Sequence, residues 1–449
     1  MTPAGADAAR FAADLIRIDT TNRGGGDARE RPAAEYVAAR LAEAGLEPVL
    51  LESAPGRANV VARISGAGAS EGAREGAQQE GALLLHGHLD VVPADPAAWS
   101  VHPFSGEIRD GVLWGRGAVD MKNADAVLIA LAADWARSGR RPRRDIVLAF
   151  TADEEDTAEF GARWLVERHA ELFEGCTEAI GESGAFTFHA GPGQRLYPIA
   201  SAERGTAWLK LTARGRAGHG SKPNEANAVT RLAGAVARIG AYRWPVRLIP
   251  TVRAAVEAIA AAAGTRLPDG ALDGGLAAEE LLALLGPAGA LVAGTVRNSA
   301  NPTMLAAGYK INVIPGEAVG YVDGRVLPGF SGEFRATLDE LTGPDVTWEY
   351  AHEETALEAP LDAPVMGRMA RALLAEDPGS VVVPYCMSGG TDAKQFSRLG
   401  MTCYGFTPLV LPEGYDYYAM FHGTDERIPL SALEASVRIM DRFLAAADE

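Results

Sequence analysis

The chain has 449 residues, 47% of them hydrophobic and 22% charged, and 59 Asp and Glu against 42 Lys and Arg leave a formal net charge of −17. That length favours two domains with a sizeable core, and the acidic balance, with no basic run interleaved with aromatics, argues against a nucleic-acid partner. No apolar run reaches the roughly 18 residues of a membrane span, so no membrane partner is expected.

The N-terminal stretch MTPAGADAARFAADLIRIDTTN reads as an amphipathic helix. It lacks the basic start and apolar block of a signal peptide. The three cysteines, Cys176, Cys386 and Cys403, are odd in number and show no C-x-x-C spacing. Together these features point to a cytoplasmic protein and away from cysteine-bound zinc. Strands and helices then alternate as far as IGESG, the pattern of an α/β sheet flanked by helices. The Gly66 to Gly81 stretch, rich in Gly, Ala and charge, interrupts that pattern as a surface loop. His169 lies in a helical run, EFGARWLVERHAELF, and is expected to be exposed.

From about Glu203 the texture changes. The order becomes a strand (AWLKLTARG), a helix (NAVTRLAGAVARIG), a strand near TVRNSANPTM, a strand (EAVGYVDGRV), a helix (SGEFRATLDELTG) and a strand (DVTWEYAHEE). This β-α-β-β-α-β series is the ferredoxin-like unit. The reading therefore divides the chain into residues 1–201, the first part of a catalytic domain; 202–355, an inserted α+β lid with a helical insertion at about 245–292; and 356–449, where the catalytic domain resumes and ends in a helix.

The chemistry concentrates between Leu83 and Lys122. His88 and Asp90 end an apolar run two residues apart, so in a strand both point to one face. A metal-bound imidazole commonly gives its other N–H to a carboxylate, and Asp90 suits that orienting role. His86 shares the face and competes with His88 as a ligand. Asp120 precedes a helical run, where such an acid is ordinarily an N-cap; alternatively, its two oxygens bridge two metals. DIVLAFTADEE ends in Glu154 and Glu155, which leave a strand in different directions. One can hold an ion while the other accepts a proton from water, and we assign the base role to Glu154 and the ligand role to Glu155. A solvated strand edge is the simpler reading of that pair taken alone.

The run of motifs HGHLDVVP, GRGAVDMK, TADEE, IGESG, GRAGHGSKP, INVIPGEA, DGRVLPG, SGGTDAK and FHGTDE, in that order, resembles the dizinc metallopeptidase family of acetylornithine deacetylase, succinyl-diaminopimelate desuccinylase, aminoacylase and carboxypeptidase S. The resemblance covers nearly the whole chain. It implies a zinc-peptidase-like α/β catalytic domain with an inserted ferredoxin-like lid, and hydrolysis of an amide bond through water activated by two metals. Carried over residue by residue, His88 and Glu182 hold one ion, Glu155 and His422 the other, and Asp120 bridges them. Two divalent cations then balance Asp120, Glu155, Glu182 and a bridging hydroxide. Zinc suits the set best, with cobalt or manganese also compatible. His219 donates to the oxyanion, in cis or from the partner of a homodimer formed through the lid. Arg325 and Asn312 face the substrate, Arg325 clamping a carboxylate, and Gly389, Gly390 and Thr391 offer further donors to it.

SAERGTAWLKL and the helical insertion resemble most the carboxypeptidase S and N-fatty-acyl-amino-acid hydrolase branch, which implies peptides or N-acyl amino acids with an apolar acyl group and a free carboxylate. Departures are small: Asn123 stands where glycine is common, and Glu182 where some members carry aspartate. Two other readings compete. A TIM-barrel amidohydrolase also opens its site with H-x-H, and a non-catalytic metal- or peptide-binding protein on the same scaffold is expected to have lost Glu154.

Overall fold

Thr2 begins the first helix for a local reason. Its side chain accepts a hydrogen bond from the Gly5 N–H at 3.1 Å, and Pro3 fills the first helical position, where a missing N–H costs nothing. The stripe Ala8, Phe11, Ala12, Leu15 and Ile16 is then buried, as 3.6-residue periodicity requires. In this computed structural model residues 1–67 and 80–445 are described, so most of the Gly66 to Gly81 loop lies outside them.

The labelled helices are α1 (Pro3–Arg17), α2 (Arg31–Glu43), α3 (Lys122–Ser138), α4 (Ala228–Ala241), α5 (Pro250–Ala262), α6 (Ala278–Leu284), α7 (Ser331–Thr342), α8 (Pro364–Glu376) and α9 (Leu430–Leu444), besides the short helices Ala162–Arg168 and Ala393–Phe396. The strands used below are β1 (Val49–Ala54), β2 (Arg57–Ile64), β3 (Ala82–His88), β4 (Ile146–Thr151), β5 (Cys176–Gly181), β6 (Gln194–Glu203), β7 (Gly205–Arg214), β8 (Ser299–Ala307), β9 (Glu317–Val326), β10 (Val346–Glu354) and β11 (Thr402–Gly405). The chain divides into two units. Met1–Ala200, Ala359–Val383 and Thr391–Glu449 form the first, and Ser201–Glu358 with Pro384–Gly390 the second.

The first unit is built on a mixed sheet in the order β1-β2-β4-β3-β5-β11-β6. β3 runs parallel to both β4 and β5. All seven residues of β3 and all six of β4 are buried, which explains why they read as continuous apolar runs and not as alternating ones. Helices α1, α3 and α9 pack on one another, and α3 on β3. The sheet is open and contains antiparallel pairs at β1/β2, β2/β4 and β6/β11. A TIM barrel needs eight parallel strands closed on themselves, so that alternative is overturned. His169 also differs from its reading: it ends the short helix Ala162–Arg168 with its ring against Trp164, centroids 4.6 Å apart.

The second unit is an antiparallel sheet in the order β8-β9-β7-β10. With α4 after β7 and α7 after β9, this is β-α-β-β-α-β with the first and third strands central. Its core joins Leu209 and Leu211 of β7, Leu232 and Ile239 of α4, Val322 of β9, and Phe334 and Leu338 of α7. Between α4 and β8 the chain adds α5, α6 and the short turns Ala271–Asp273 and Gly286–Leu291.

Gly324 shows how closely that core is packed. A Cβ there would lie 2.6 Å from Phe334 Cζ and 2.7 Å from the Ala207 carbonyl oxygen, its cross-strand partner. Backbone cannot yield as a side chain does. We expect Gly324→Ala to destabilise the protein by about 1–3 kcal/mol through overpacking. Thermal unfolding is the check, and an unchanged midpoint would mean that Phe334 is not seated against this strand.

Candidate metal centre

Three parallel strands, β4, β3 and β5, end side by side, and their carboxyl ends are where open α/β sheets place ligands. His88 is the last residue of β3. Its Nδ1 lies 3.0 Å from the Asp90 backbone carbonyl, so a proton on Nδ1 donates there and leaves Nε2 as a free lone pair. Nε2 faces Asp120 Oδ1 at 3.1 Å and Glu154 Oε2 and Glu182 Oε2 at 3.8 Å each.

The orienting atom thus differs from the one the sequence suggested. The Asp90 carboxylate is 3.7 Å from Nδ1. It accepts instead from the backbone N–H groups of Glu154 and Glu155, at 3.2 and 3.1 Å, and from Asn22 Nδ2 at 2.9 Å. Asp90 therefore fixes the turn that carries both glutamates. Asn22 Nδ2 also donates to Asp153 at 3.1 Å, and Asp153 accepts from Arg57, itself paired in a two-point fork with Glu30. This buried chain of groups stands behind the turn.

Asp120 is not an N-cap. Helix α3 begins at Lys122, with Met121 in the cap position and no side-chain cap bond. The loop before it is held by Glu426, which is fully buried. One Glu426 oxygen accepts from the Val119 and Asp120 N–H groups at 2.6 and 3.0 Å, the other from Gly117 N–H and Arg116 at 3.0 and 2.9 Å. The Asp120 carboxylate is then free to face two ways: Oδ1 toward His88, and Oδ2 toward His422 Nε2 at 3.4 Å. His422 Nε2 also lies 3.1 Å from Glu155 Oε2, and the other Glu155 oxygen is buried without a partner among the described residues.

These residues fit divalent cations. Donor atoms of His88, Asp120 and Glu155, and of His88, Glu154 and Glu182, lie within 4.8 Å of one another in each group. Tetrahedral ligands about 2.1 Å from an ion sit about 3.4 Å apart. Without a cation the acids compete for protons. Burial and neighbouring carboxylates push Glu182 up to about 7 and hold Glu154 well above the ordinary range. Hydrogen bonds to Asp120 and Glu155 raise His422 to about 10. His86, the competing ligand, belongs to neither group: its ring packs on Phe396 and over Gly181, its Nε2 has no partner among the described residues, and burial lowers it to about 3. It is a neutral core residue.

The other candidates are described within their own units. His219 and Asn312 come together at a small two-stranded antiparallel ladder of the second unit. There Gly218 and His219 pair with Ile314 and Val313, and Gly220 N–H donates to the Asn312 carbonyl at 2.9 Å. Arg325, on β9, forks onto Asp323 at 2.8 and 3.3 Å. Gly389 and Gly390 belong to the second unit and Thr391 to the first, where Thr391 Oγ1 accepts from the Ala393 N–H at 3.1 Å.

The sign of the pH dependence follows from these acids. Glu182 keeps its proton to about 7 in the folded state, whereas an unfolded Glu loses it near 4.3. Asp392 is raised to about 8 by burial in the same way. A raised folded pKa gives stability that is complete below the unfolded pKa and lost as pH rises through the folded one. We expect the unfolding midpoint of chelator-treated protein to fall from pH 5 to pH 8, and divalent cations to restore it increasingly as protons leave the site. A midpoint that climbed over that range in chelator would refute this account of the centre.

Against known proteins, residues 84–446 match the family model "Peptidase family M20/M25/M40". An N-fatty-acyl-amino acid synthase/hydrolase, PM20D1 of Xenopus tropicalis, is 27% identical over 391 residues, covering 81% of this chain and 72% of that protein. A probable carboxypeptidase S-like 2 of Dictyostelium discoideum is 28% identical over 367 residues, covering 78% and 68%. Among solved structures, the M20 family metallo-carboxypeptidase Sso-CP2 of Sulfolobus solfataricus aligns with a TM-score of 0.68 at 16% identity, over 97% of this chain and 98% of that one. With the matched segment spanning most of the sequence, from β3 to the C-terminal helix, the chain belongs to peptidase family M20/M25/M40.

Proposed function

We propose that this chain is a cytoplasmic two-metal hydrolase that cleaves the amide bond of N-acyl amino acids or peptides with a free carboxylate, in the manner of the carboxypeptidase S and N-fatty-acyl-amino-acid branch. The observation that carries the reading is the division of Asp120, whose two oxygens face different histidines. Glu182 lies on the His88 side and Glu155 on the His422 side. His88 and Glu182 would hold one ion, Glu155 and His422 the other, and Asp120 both. The imidazole and carboxylate donors suit zinc, and also cobalt or manganese.

Bound divalent cations would polarise the scissile carbonyl and acidify a water. The chain supplies the rest. Glu154, shielded from solvent and fixed through its N–H by Asp90, takes a proton from the attacking water and returns it to the leaving amine. His219, exposed and with Nδ1 against Ser221, donates to the oxyanion through its remaining nitrogen. Arg325, with Asn312, Gly389, Gly390 and Thr391, binds the substrate and its carboxylate. A homodimer through the second unit is part of this reading, its support being the apolar side chains Met304, Leu305, Tyr309 and Ile311, exposed on or beside the edge strand β8.

Two measurements test this proposal. Protein loaded with zinc, cobalt or manganese should hydrolyse members of a panel of dipeptides and N-acyl amino acids; failure on every member with two equivalents of metal bound would sink it. Glu154→Gln should bind metal as before yet lose about 10²- to 10⁴-fold in kcat, and full activity in that variant would remove Glu154 from the mechanism.

A further inference from the structure

The Arg325 guanidinium is already engaged. Nε and Nη2 donate to the two Asp323 oxygens at 2.8 and 3.3 Å, and Nη1 donates to Thr206 Oγ1 at 3.3 Å. Its side-on fork is filled by an acid two residues away on the same strand, and the pair is electrically neutral. An incoming carboxylate therefore finds a rigid donor edge there but little uncompensated charge.

A second guanidinium lies in the same unit. Arg204, between β6 and β7, is 7% exposed. It donates Nε to the Ser388 carbonyl at 3.1 Å and Nη1 to Ser299 Oγ at 3.0 Å. Both acceptors are neutral, and among the described residues Arg204 forms no ion pair with an acid. Burial lowers its pKa to about 10; Cys386 and Asp323 act to raise it and Arg325 to lower it, so Arg204 senses the Arg325–Asp323 pair as a whole. A buried guanidinium without a counter-charge is costly unless something supplies one.

The register explains why the two belong to one site. Ser299 of β8 and Thr206 of β7 are the cross-strand partners of Arg325 on β9, so the three side chains form a row on one face of the sheet. Arg204 Nη1 meets that row at Ser299. Its backbone N–H donates to the Met387 carbonyl at 3.1 Å and its Nε to Ser388. Arg204 thereby anchors Met387 and Ser388, the segment leading into Gly389 and Gly390. Gly294, which faces Nη2, carries no side chain; a Cβ there would stand 4.0 Å away.

We infer that Arg204 is a specificity-determining residue that shares the substrate carboxylate with Arg325, contributing the charge that Asp323 cancels on its neighbour. The inference rests on the carboxylate-bearing substrate class proposed above. Arg204 is assigned the electrostatic attraction, Arg325 the fixed geometry, and the Gly389–Gly390 segment is held in place by the first of them. The competing role is that of a staple between Ser299 and Ser388, which would matter equally for any substrate.

The experiment compares an N-acyl amino acid with its carboxamide on metal-loaded enzyme. Arg204→Gln should lower kcat/KM for the acid by about 10- to 100-fold, the scale of a charged hydrogen bond, and for the amide by less than about 3-fold. Equal losses on both substrates, or an undiminished preference for the acid, overturn the inference. Arg204→Lys, which keeps charge without the planar fork, is the second variant: a selective severalfold loss on the acid supports the role, and an equal change on both, or none, overturns it. Arg325→Gln separates the two levels of argument. If it abolishes the preference while Arg204→Gln keeps it, only the inference falls; if the unmodified enzyme ignores amidation, the proposed substrate class falls first.

Discussion

The centre of the first unit is governed by crowding of like charge. Asp120, Glu154, Glu155 and Glu182 have side chains shielded from solvent, and among the described residues their ion pairs are with His88 and His422. Four carboxylates cannot all ionise there with only two imidazoles to face them. Either protons or metal cations must enter, and the surrounding architecture holds the acids in place while they do. Glu426 grips the loop of Asp120 through three backbone N–H groups, and Asp90 grips the turn of Glu154 and Glu155 through two. Acceptors of this kind orient ligands by their backbone and leave the ligating oxygens free.

Much of this was legible in the sequence because metal chemistry needs particular residue types at strand ends. His88, Asp120, Glu155, Glu182 and His422 stood out by type, by position after apolar runs, and by the order of their motifs, and the structure gathers all five in one unit. The β-α-β-β-α-β order of the second unit was readable from the change of texture at about Glu203 and the series of strands and helices that follows, with β7 burying alternate residues on a sheet covered on one face.

What escaped the sequence shares one cause: the partner atom is backbone, or is distant in the chain. A two-residue spacing puts the Asp90 carboxylate on the face of His88, but the carbonyl arrives first because the chain turns immediately after β3. Glu426 lies four residues past His422, and nothing in its spacing tells that it reaches back to Gly117. Asn22, between two buried carboxylates, looks like a turn residue after a helix. His86 was ambiguous because strand alternation records the face and not the depth; burial against Phe396 and Gly181 decided the matter.

The two units pose opposite electrostatic problems. The first concentrates buried negative charge beyond what its own imidazoles balance. The second buries Arg204, a cation whose hydrogen-bond acceptors are neutral, next to an Arg325 that is already neutralised. Interior charge left unmatched destabilises a fold unless something else supplies the complement. On the function proposed above, cations would supply that complement in the first unit and a substrate carboxylate in the second. Selectivity for the free acid would then follow from the charge that the second unit leaves unbalanced at Arg204, whose acceptors are neutral oxygens.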